Sequence, residues 1–496
     1  MFSHSDSDSH SRITAFDAFV ASAKLQRNPY QRDAVEWAIR HELNDLAKQL
    51  DLNSTHAQSV RGGILADDMG LGKTIIMIGI MAANSIGRTL IVLPIALLQQ
   101  WHDAIFNLTT VKPFILTVNT PISKNTRSIL LRSDVVLTTY SSLVSFSKQS
   151  DSLLHTIRWR RVIFDEAHHL RNPNTDRHRA AYALTTSIVW LVSGTPIQNR
   201  LADFRAISNI LRIRCSESNI ATVARHFLLR RTKLHVGIIL PPISFTTVVV
   251  PWNNPKEKRV AMDIHSRLNC CAFPEKDDTD ADTDSDAEED EHYDPPNTLT
   301  NLLHARQACI MPSLVSSTIT HSSKIDAVVH TIVSTPSPTG KLVFCNYTKE
   351  IDLLYNSLRT AAPHLTIAIY DGRPCNHSLH LTADVLILQI MTGSEGLNLQ
   401  HNYSHVYFVS PHWNPYIEDQ AVARCFRIGQ THPVQVFRFV MDDFSHEKEE
   451  KEEKDTTATA ATTSHTQHVE HYIHHIQSTK RHIVANAFDH TTATAI

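Results

Sequence analysis

The sequence predicts an α/β protein of two lobes, each a parallel sheet flanked by helices, with a helical insertion between them. Three observations carry this expectation. Four apolar runs between residues 89 and 196 end in hydroxyl or charged residues and alternate with helical stretches, the pattern of a parallel sheet with its site along one edge. A second block of the same kind spans 341–441. Between them lie Pro241-Pro242 and a run, 275–291, with eleven acidic residues and one lysine, too polar to bury itself.

The start of the chain, rich in Ser, Asp and His, reads as a disordered segment over 1–24. From Asn28 a helix is expected, with Val35, Ile39 and Leu43 on one face and Tyr30 and Gln31 at its start. Next comes Gly62-Gly63-Ile64-Leu65-Ala66-Asp67-Asp68-Met69-Gly70-Leu71-Gly72-Lys73-Thr74, a short buried strand, a glycine-containing turn and a helix beginning near Lys73. Gly70 and Gly72 let the backbone curl so that N–H groups converge on one concavity suited to a polyphosphate. Lys73 adds charge at the outer phosphates, and the Thr74 hydroxyl suits Mg²⁺. The usual phosphate-loop pattern starts with Gly where this chain has Asp67.

Strands then follow at Thr89–Pro94, Asp134–Tyr140, Arg161–His168 and Ile188–Pro196, and a β-rich run at Phe245–Val250. A helix is expected at Leu299–Gln307. The second block has strands at Lys341–Cys345, Leu365–Tyr370, Asp384–Leu388, His405–Val409 and Val434–Val440, without a second Lys-Thr phosphate loop. The resulting division is 1–24, a first lobe at 25–235, an inter-lobe segment at 236–325 with a disordered acidic insert at 275–294, a second lobe at 326–445, and a low-complexity tail at 446–496. That tail carries His465, His468, His471 and His474 at three-residue spacing, read as a polar, frayed helix rather than a metal stripe.

The gross numbers narrow the class. At 496 residues there is room for two or three domains. No run reaches the length of a membrane span, and the N-terminus lacks a basic-then-apolar signal, so neither membrane residence nor secretion is expected. Seven cysteines without framework spacing and without a C-x2-C read as reduced thiols, so no structural zinc is expected. Net charge is −3, but removing the two acidic runs at 275–291 and 447–455 leaves about +10, a balance compatible with a polyanionic partner.

Nucleotide hydrolysis needs a carboxylate on Mg²⁺, a group that orients the attacking water, and positive charge at the γ-phosphate. Asp165, after Val162-Ile163-Phe164, is placed by a buried strand opposite Thr74, and Glu166 can polarise water. Together with Ser193-Gly194-Thr195-Pro196-Ile197-Gln198-Asn199, Leu229-Arg230-Arg231-Thr232-Lys233, Phe344-Cys345-Asn346-Tyr347, Gly393-Ser394-Glu395-Gly396-Leu397-Asn398-Leu399, Trp413-Asn414-Pro415 and Gln420 to Gln430, these motifs resemble, in order over roughly 28–441, the Swi/Snf-type family of helicase-like ATPases within the superfamily-two helicases. Ala-Asp-Asp-Met-Gly-Leu-Gly-Lys-Thr is similar to that family's phosphate loop, which accounts for Asp67.

The resemblance implies two RecA-like lobes with ATP between them. It makes Gln31, Asp67, Met69, Gly70, Leu71, Gly72, Lys73 and Thr74 the nucleotide contacts, and Thr74 and Asp165 the Mg²⁺ ligands. Arg424 and Arg427 become fingers from the second lobe, and Ser193, Gly194, Thr195, Thr392, Gly393, Gly396 and Trp413 couple nucleotide state or touch DNA. It further implies a double-stranded DNA translocase of the chromatin-remodelling type, acting in transcription or repair on chromatin or other DNA-bound proteins, in a nuclear setting with cytoplasmic and viral ones open. Leu303 to Cys309 resembles the branch of helicase-like transcription factors and RING-bearing repair translocases, but only the acidic insert stands where that branch carries its RING. The chain departs from the pattern in a short connection between Asp371-Gly372 and Asp384, and in Ala423 where Gly is usual. Two rivals stay open: a motor that separates DNA strands or acts on RNA, and a nucleotide-gated scaffold with little turnover.

Overall fold

The structure, a computed structural model, describes residues 5–52, 60–123, 125–149, 152–195, 201–268, 295–316, 319–373, 382–393, 397–444 and 468–488. The acidic insert, Pro196 to Asn199, Ser394 to Gly396 and His465 lie outside the described residues.

The alternating pattern becomes two sheets. The first holds β1 (Arg61–Leu65), β2 (Thr89–Leu93), β3 (Phe114–Ile115), β4 (Val135–Thr139), β5 (Arg161–Asp165), β6 (Ile188–Val192) and β7 (Leu228–Leu229), in the order β3-β4-β2-β5-β6-β1-β7. All its pairings are parallel. β2, β4, β5 and β6 are buried throughout, which is why each reads as a continuous apolar run instead of an alternating one. The register sets the site. Leu65 and Asp165 both lie beside Val192, so the chain leaves β1, β5 and β6 at one level of three adjacent strands.

The second sheet holds β8 (Ile243–Val250), β9 (Gly340–Cys345), β10 (Ile367–Tyr370), β11 (Val385–Gln389), β12 (Tyr403–Phe408) and β13 (Val434–Met441), in the order β10-β11-β9-β12-β13-β8, again all parallel. β8, from the stretch read as inter-lobe, pairs with β13 along its whole length. It is the edge strand, and its outward residues Phe245 and Val249 are more than half exposed.

The expected disorder of 1–24 and the polar, frayed character expected of the tail helix are corrected. Ser5–Ser22 is a helix, because Ile13, Phe16, Phe19 and Val20 fall on one face at helical spacing and pack into the first lobe's core. They cover the helix Lys73–Ala83 closely: a Cβ on Gly79 would lie 2.6 Å from Phe16 Cε2. Phe16→Ala is expected to cost about 3–5 kcal/mol of stability. A denaturant midpoint equal to wild type would mean this helix does not cover the core.

The tail is likewise ordered over its described part. Val469–Phe488 is a helix whose Val469 and Ile473 are fully buried in the second lobe's core. Glu470 pairs with Lys324, both side chains fully buried, and also accepts from the Met441 N–H at 2.8 Å. The surrounding Ala/Thr and charged composition hid this four-residue apolar spacing.

The helix Pro29–Leu43 starts with Pro at its first turn, where no N–H is needed, and is held from inside. Its Glu42 receives Arg161 Nε and Nη2, each at 2.6 Å, and Trp190 Nε1 at 2.8 Å. That network ties the helix carrying Gln31 to β5 and β6.

Candidate nucleotide site between the two sheets

The chain leaves β1 at Leu65, turns through 66–72, and enters the helix Lys73–Ala83. Gly70 (φ +92°) and Gly72 (φ +80°) supply the left-handed backbone this turn requires. Neither has room for a side chain. A Cβ on Gly72 would lie 2.6 Å from Gln31 Nε2, and one on Gly70 would lie 3.2 Å from Arg427 Cβ. Gln31 therefore braces the loop, donating to the Leu71 carbonyl at 3.2 Å, and the second lobe packs directly on Gly70.

Lys73 Nζ donates to the carbonyls of Asp67 (2.8 Å) and Asp68 (3.4 Å), which holds the ammonium inside the curl of the loop. Burial lowers its pKa from the ordinary lysine value, against the pull of Glu166, Asp67 and Asp165. Thr74 follows as the second residue of the helix. Asp67 is placed differently from expectation. Its fully buried carboxylate is gripped by Arg231, with Nε at 3.0 Å and Nη2 at 2.5 Å, so it shapes the loop instead of facing a ligand. Arg231 Nη1 also donates to the Tyr30 carbonyl at 2.5 Å, joining loop, linker and first helix.

At the end of β5, Asp165 accepts from Trp101 Nε1 at 2.7 Å and from the Glu166 N–H at 3.0 Å, while the Tyr140 hydroxyl donates to its carbonyl at 2.8 Å. Burial first, and then the adjacent Glu166, push the Asp165 pKa up to about 7. Burial acts on Glu166 in the same direction, but His168, Lys73 and Arg424 outweigh it and hold Glu166 down at about 2. The two adjacent buried carboxylates are thus driven apart, Asp165 towards its neutral form and Glu166 towards its ionised form. Glu166 also sits at φ +49°, a left-handed conformation costing a non-glycine residue about 1–2 kcal/mol. Its Oε2 lies 3.3 Å from His168 Nδ1 without hydrogen-bond alignment, and neither buried atom has another polar partner.

From β6, Ser193 donates its N–H to the Leu65 carbonyl (3.1 Å), and its hydroxyl oxygen accepts from the Thr195 N–H (3.1 Å). A Cβ on Gly194 would lie 3.0 Å from the Met69 side chain and 3.4 Å from Lys73 Nζ. The turn after β6 therefore touches the loop.

The second lobe closes the site from the far side. The helix Pro415–Val422 leads into Arg424 and Arg427. Arg424 is close enough to Glu166 to stabilise its negative charge. Arg427 packs its stem on Gly70 while Nη1 donates to Asn398 Oδ1 at 2.5 Å. Gln430 is buried and fixes the turn behind them, donating to the carbonyls of Tyr403 (2.9 Å) and Cys425 (3.2 Å). Lys233 Nζ stands 5.7 Å over the Phe426 ring, and a cavity of about 290 Å³ beside the loop is walled by Met69, Gly194 and Thr195 on one side and Tyr416, Val422 and Phe426 on the other.

The remaining predicted residues lie in the second lobe. Thr392 Oγ1 donates to Gln389 Oε1 at 2.6 Å, and Gly393 is pressed on Leu388, where a Cβ would lie 2.7 Å away. Trp413 faces the C-terminal helix, its ring 6.2 Å from Tyr472 and its carbonyl accepting from Lys480 Nζ at 3.0 Å. Arg231, Trp101, Tyr140 and Gln430 act on the site without having been assigned from the sequence.

The residues fit a metal-bound nucleotide. The left-handed loop forms a cradle, and the buried Glu166 carboxylate lies next to Asp165, whose pKa burial and Glu166 raise. A divalent cation would offset the negative charge of such a pair.

A glycine loop with its lysine, an acid pair, and arginines from a second parallel sheet define the two-lobed phosphate-loop hydrolases. Residues 30–218 match the SNF2-related domain and 323–429 the helicase conserved C-terminal domain. The chain belongs to the SNF2-related family of helicase-like ATPases. It is 27% identical over 461 residues to a probable global transactivator of Orgyia pseudotsugata multicapsid polyhedrosis virus, covering 84% of this chain and 86% of the relative. It is 24% identical to the DNA repair protein RAD5B of Arabidopsis thaliana, covering 79% of this chain but 45% of the relative. It also aligns with the SWI2/SNF2 ATPase core of Sulfolobus solfataricus in complex with dsDNA, at 19% identity and a TM-score of 0.38, covering 84% and 88% of the two chains.

Proposed function

We propose that this protein is an ATP- and Mg²⁺-dependent translocase on double-stranded DNA, acting in transcription or DNA repair. The observation that supports it best is the convergence of Lys73, Asp165, Glu166 and Gly194 from three adjacent strands of one sheet, with the charge of Arg424 acting on Glu166 from the other lobe. The glycine loop and Lys73 bind the outer phosphates of ATP. Thr74 and Asp165 would hold Mg²⁺, which would supply charge neutralisation at the outer phosphates. Glu166 accepts a hydrogen bond from the attacking water and orients it in line with the γ-phosphate. Arg424 and Arg427 stabilise the charge that spreads over the transferring group, which they do only with the lobes together.

Hydrolysis is thereby tied to closure, and Ser193 to Thr195, touching the lysine on one side and the inter-lobe cavity on the other, relay it. Repeated closure moves the two lobes along a duplex. The names of the relatives, a global transactivator and a repair protein, fit work on DNA-bound proteins and a nuclear setting, including a virus-infected nucleus.

The test is ATPase rate with saturating duplex DNA, single-stranded DNA or RNA. Duplex DNA is expected to stimulate most, by tenfold or more on the order of a 1.4 kcal/mol change in barrier. Strongest stimulation by RNA overturns the assignment, and strand displacement in a duplex-unwinding assay replaces translocation by unwinding.

A further inference from the structure

Away from the nucleotide cleft, three side chains from distant parts of the chain meet in the core of the second lobe. His265 ends the helix Pro255–Ser266, Cys309 lies in the helix Pro295–Ile310, and His468 immediately precedes Val469–Phe488. Cys309 Sγ is 3.8 Å from His265 Nε2 and 3.6 Å from His468 Nε2, and the ligating atoms of the three residues lie within 4.8 Å of one another. All three residues are buried. The two imidazoles stack with centroids 5.0 Å apart, and Phe444 closes the side at 5.0 and 5.2 Å from their rings.

We propose that His265, Cys309 and His468 form a zinc site that fastens the C-terminal helix to the second lobe. With Zn–S near 2.3 Å and Zn–N near 2.0–2.1 Å at tetrahedral angles, sulfur and nitrogen ligands lie about 3.6 Å apart, close to the separations found. His265 is already in the ligating tautomer: its Nδ1 donates to the Ala261 carbonyl at 2.7 Å, which leaves the Nε2 lone pair directed at the sulfur. Three protein ligands leave a fourth position, which a water fills.

Without metal, the same atoms make a hydrogen-bonded chain. The thiol donates to His265 Nε2. The His468 Nδ1, 3.3 Å from the Glu470 N–H, accepts from it, so His468 donates to the sulfur through Nε2. Zinc binding therefore has a defined proton balance. The thiol proton leaves to solvent, the sulfur lone pair and two Nε2 lone pairs bind the ion, and the His468 proton moves from Nε2 to Nδ1, which gives up the hydrogen bond from the Glu470 N–H. Zinc displaces the thiol proton because the thiolate is the ligating form of cysteine. The expectation of no structural zinc rested on close cysteine spacing, and these ligands are separated by tens to more than a hundred positions.

The full chain, stripped by chelator, should be titrated with Zn²⁺ alone against a chromophoric competitor, and with Co²⁺ as a spectroscopic probe. Expected are one zinc per chain, release of about one proton per zinc, a raised unfolding midpoint, and a thiolate-to-cobalt charge-transfer band. Cys309→Ser should remove the band and weaken zinc about 100-fold. His471→Ala, an exposed histidine beside Asp443, should change neither. Failure of the wild-type chain to take up stoichiometric zinc, or equal uptake by Cys309→Ser, overturns the proposal. Both readouts are independent of ATPase activity.

Discussion

Glu166→Gln stops ATP turnover but leaves ATP bound. The substitution is nearly isosteric, so it opens no cavity, and it removes the ionised member of the buried acid pair while Lys73 and the loop remain intact. Without that charge, Asp165 ionises more easily and keeps its place as a metal ligand, but the attacking water loses the acceptor that orients it. Turnover should fall by at least about 100-fold, with the dissociation constant for ATP changed only a few-fold. Unchanged turnover would remove Glu166 from the mechanism. Near-zero rates in both wild type and variant would instead favour the nucleotide-gated scaffold.

Arg424→Ala should lower the single-turnover rate by about 1,000-fold, the scale of a lost arginine finger. Its influence on Glu166 crosses from one lobe to the other, so the loss should appear in turnover and in DNA stimulation while ATP affinity and the unfolding midpoint stay near wild type. Arg424→Lys should recover little, because an ammonium cannot reproduce the forked geometry. An Arg424→Ala variant within threefold of the wild-type rate would mean that the lobes do not share the reaction. Arg427 is distinguishable: its guanidinium is engaged with Asn398 and must turn to reach a phosphate.

What could be read from the sequence was whatever is contiguous in it. The phosphate loop, the acid pair after β5 and the turn after β6 are each a few residues long, and each follows an apolar run whose burial makes it conspicuous. β3 and β7 escaped because a two-residue strand has no period. The supports of the site were illegible for another reason. Trp101 reads as one more apolar position on a helix, yet its indole N–H holds Asp165 from 64 positions away. Asp67 reads as a ligand-facing residue, and only its pairing with Arg231, 164 positions on, shows that it is spent on shape. The terminal helices were masked by composition: Ile13, Phe16 and Phe19 sit among Ser, Asp and His, and Val469 and Ile473 follow a charged, Ala/Thr-rich run.

The grip of Arg231 on Asp67 also sets a leash. Arg231 is fastened to the first sheet, and Ile243, where β8 joins the second, comes only twelve positions later. A fully stretched chain of that length reaches about 40 Å. However widely the two lobes part, these two points stay within that radius, so the same two halves can always close on each other again.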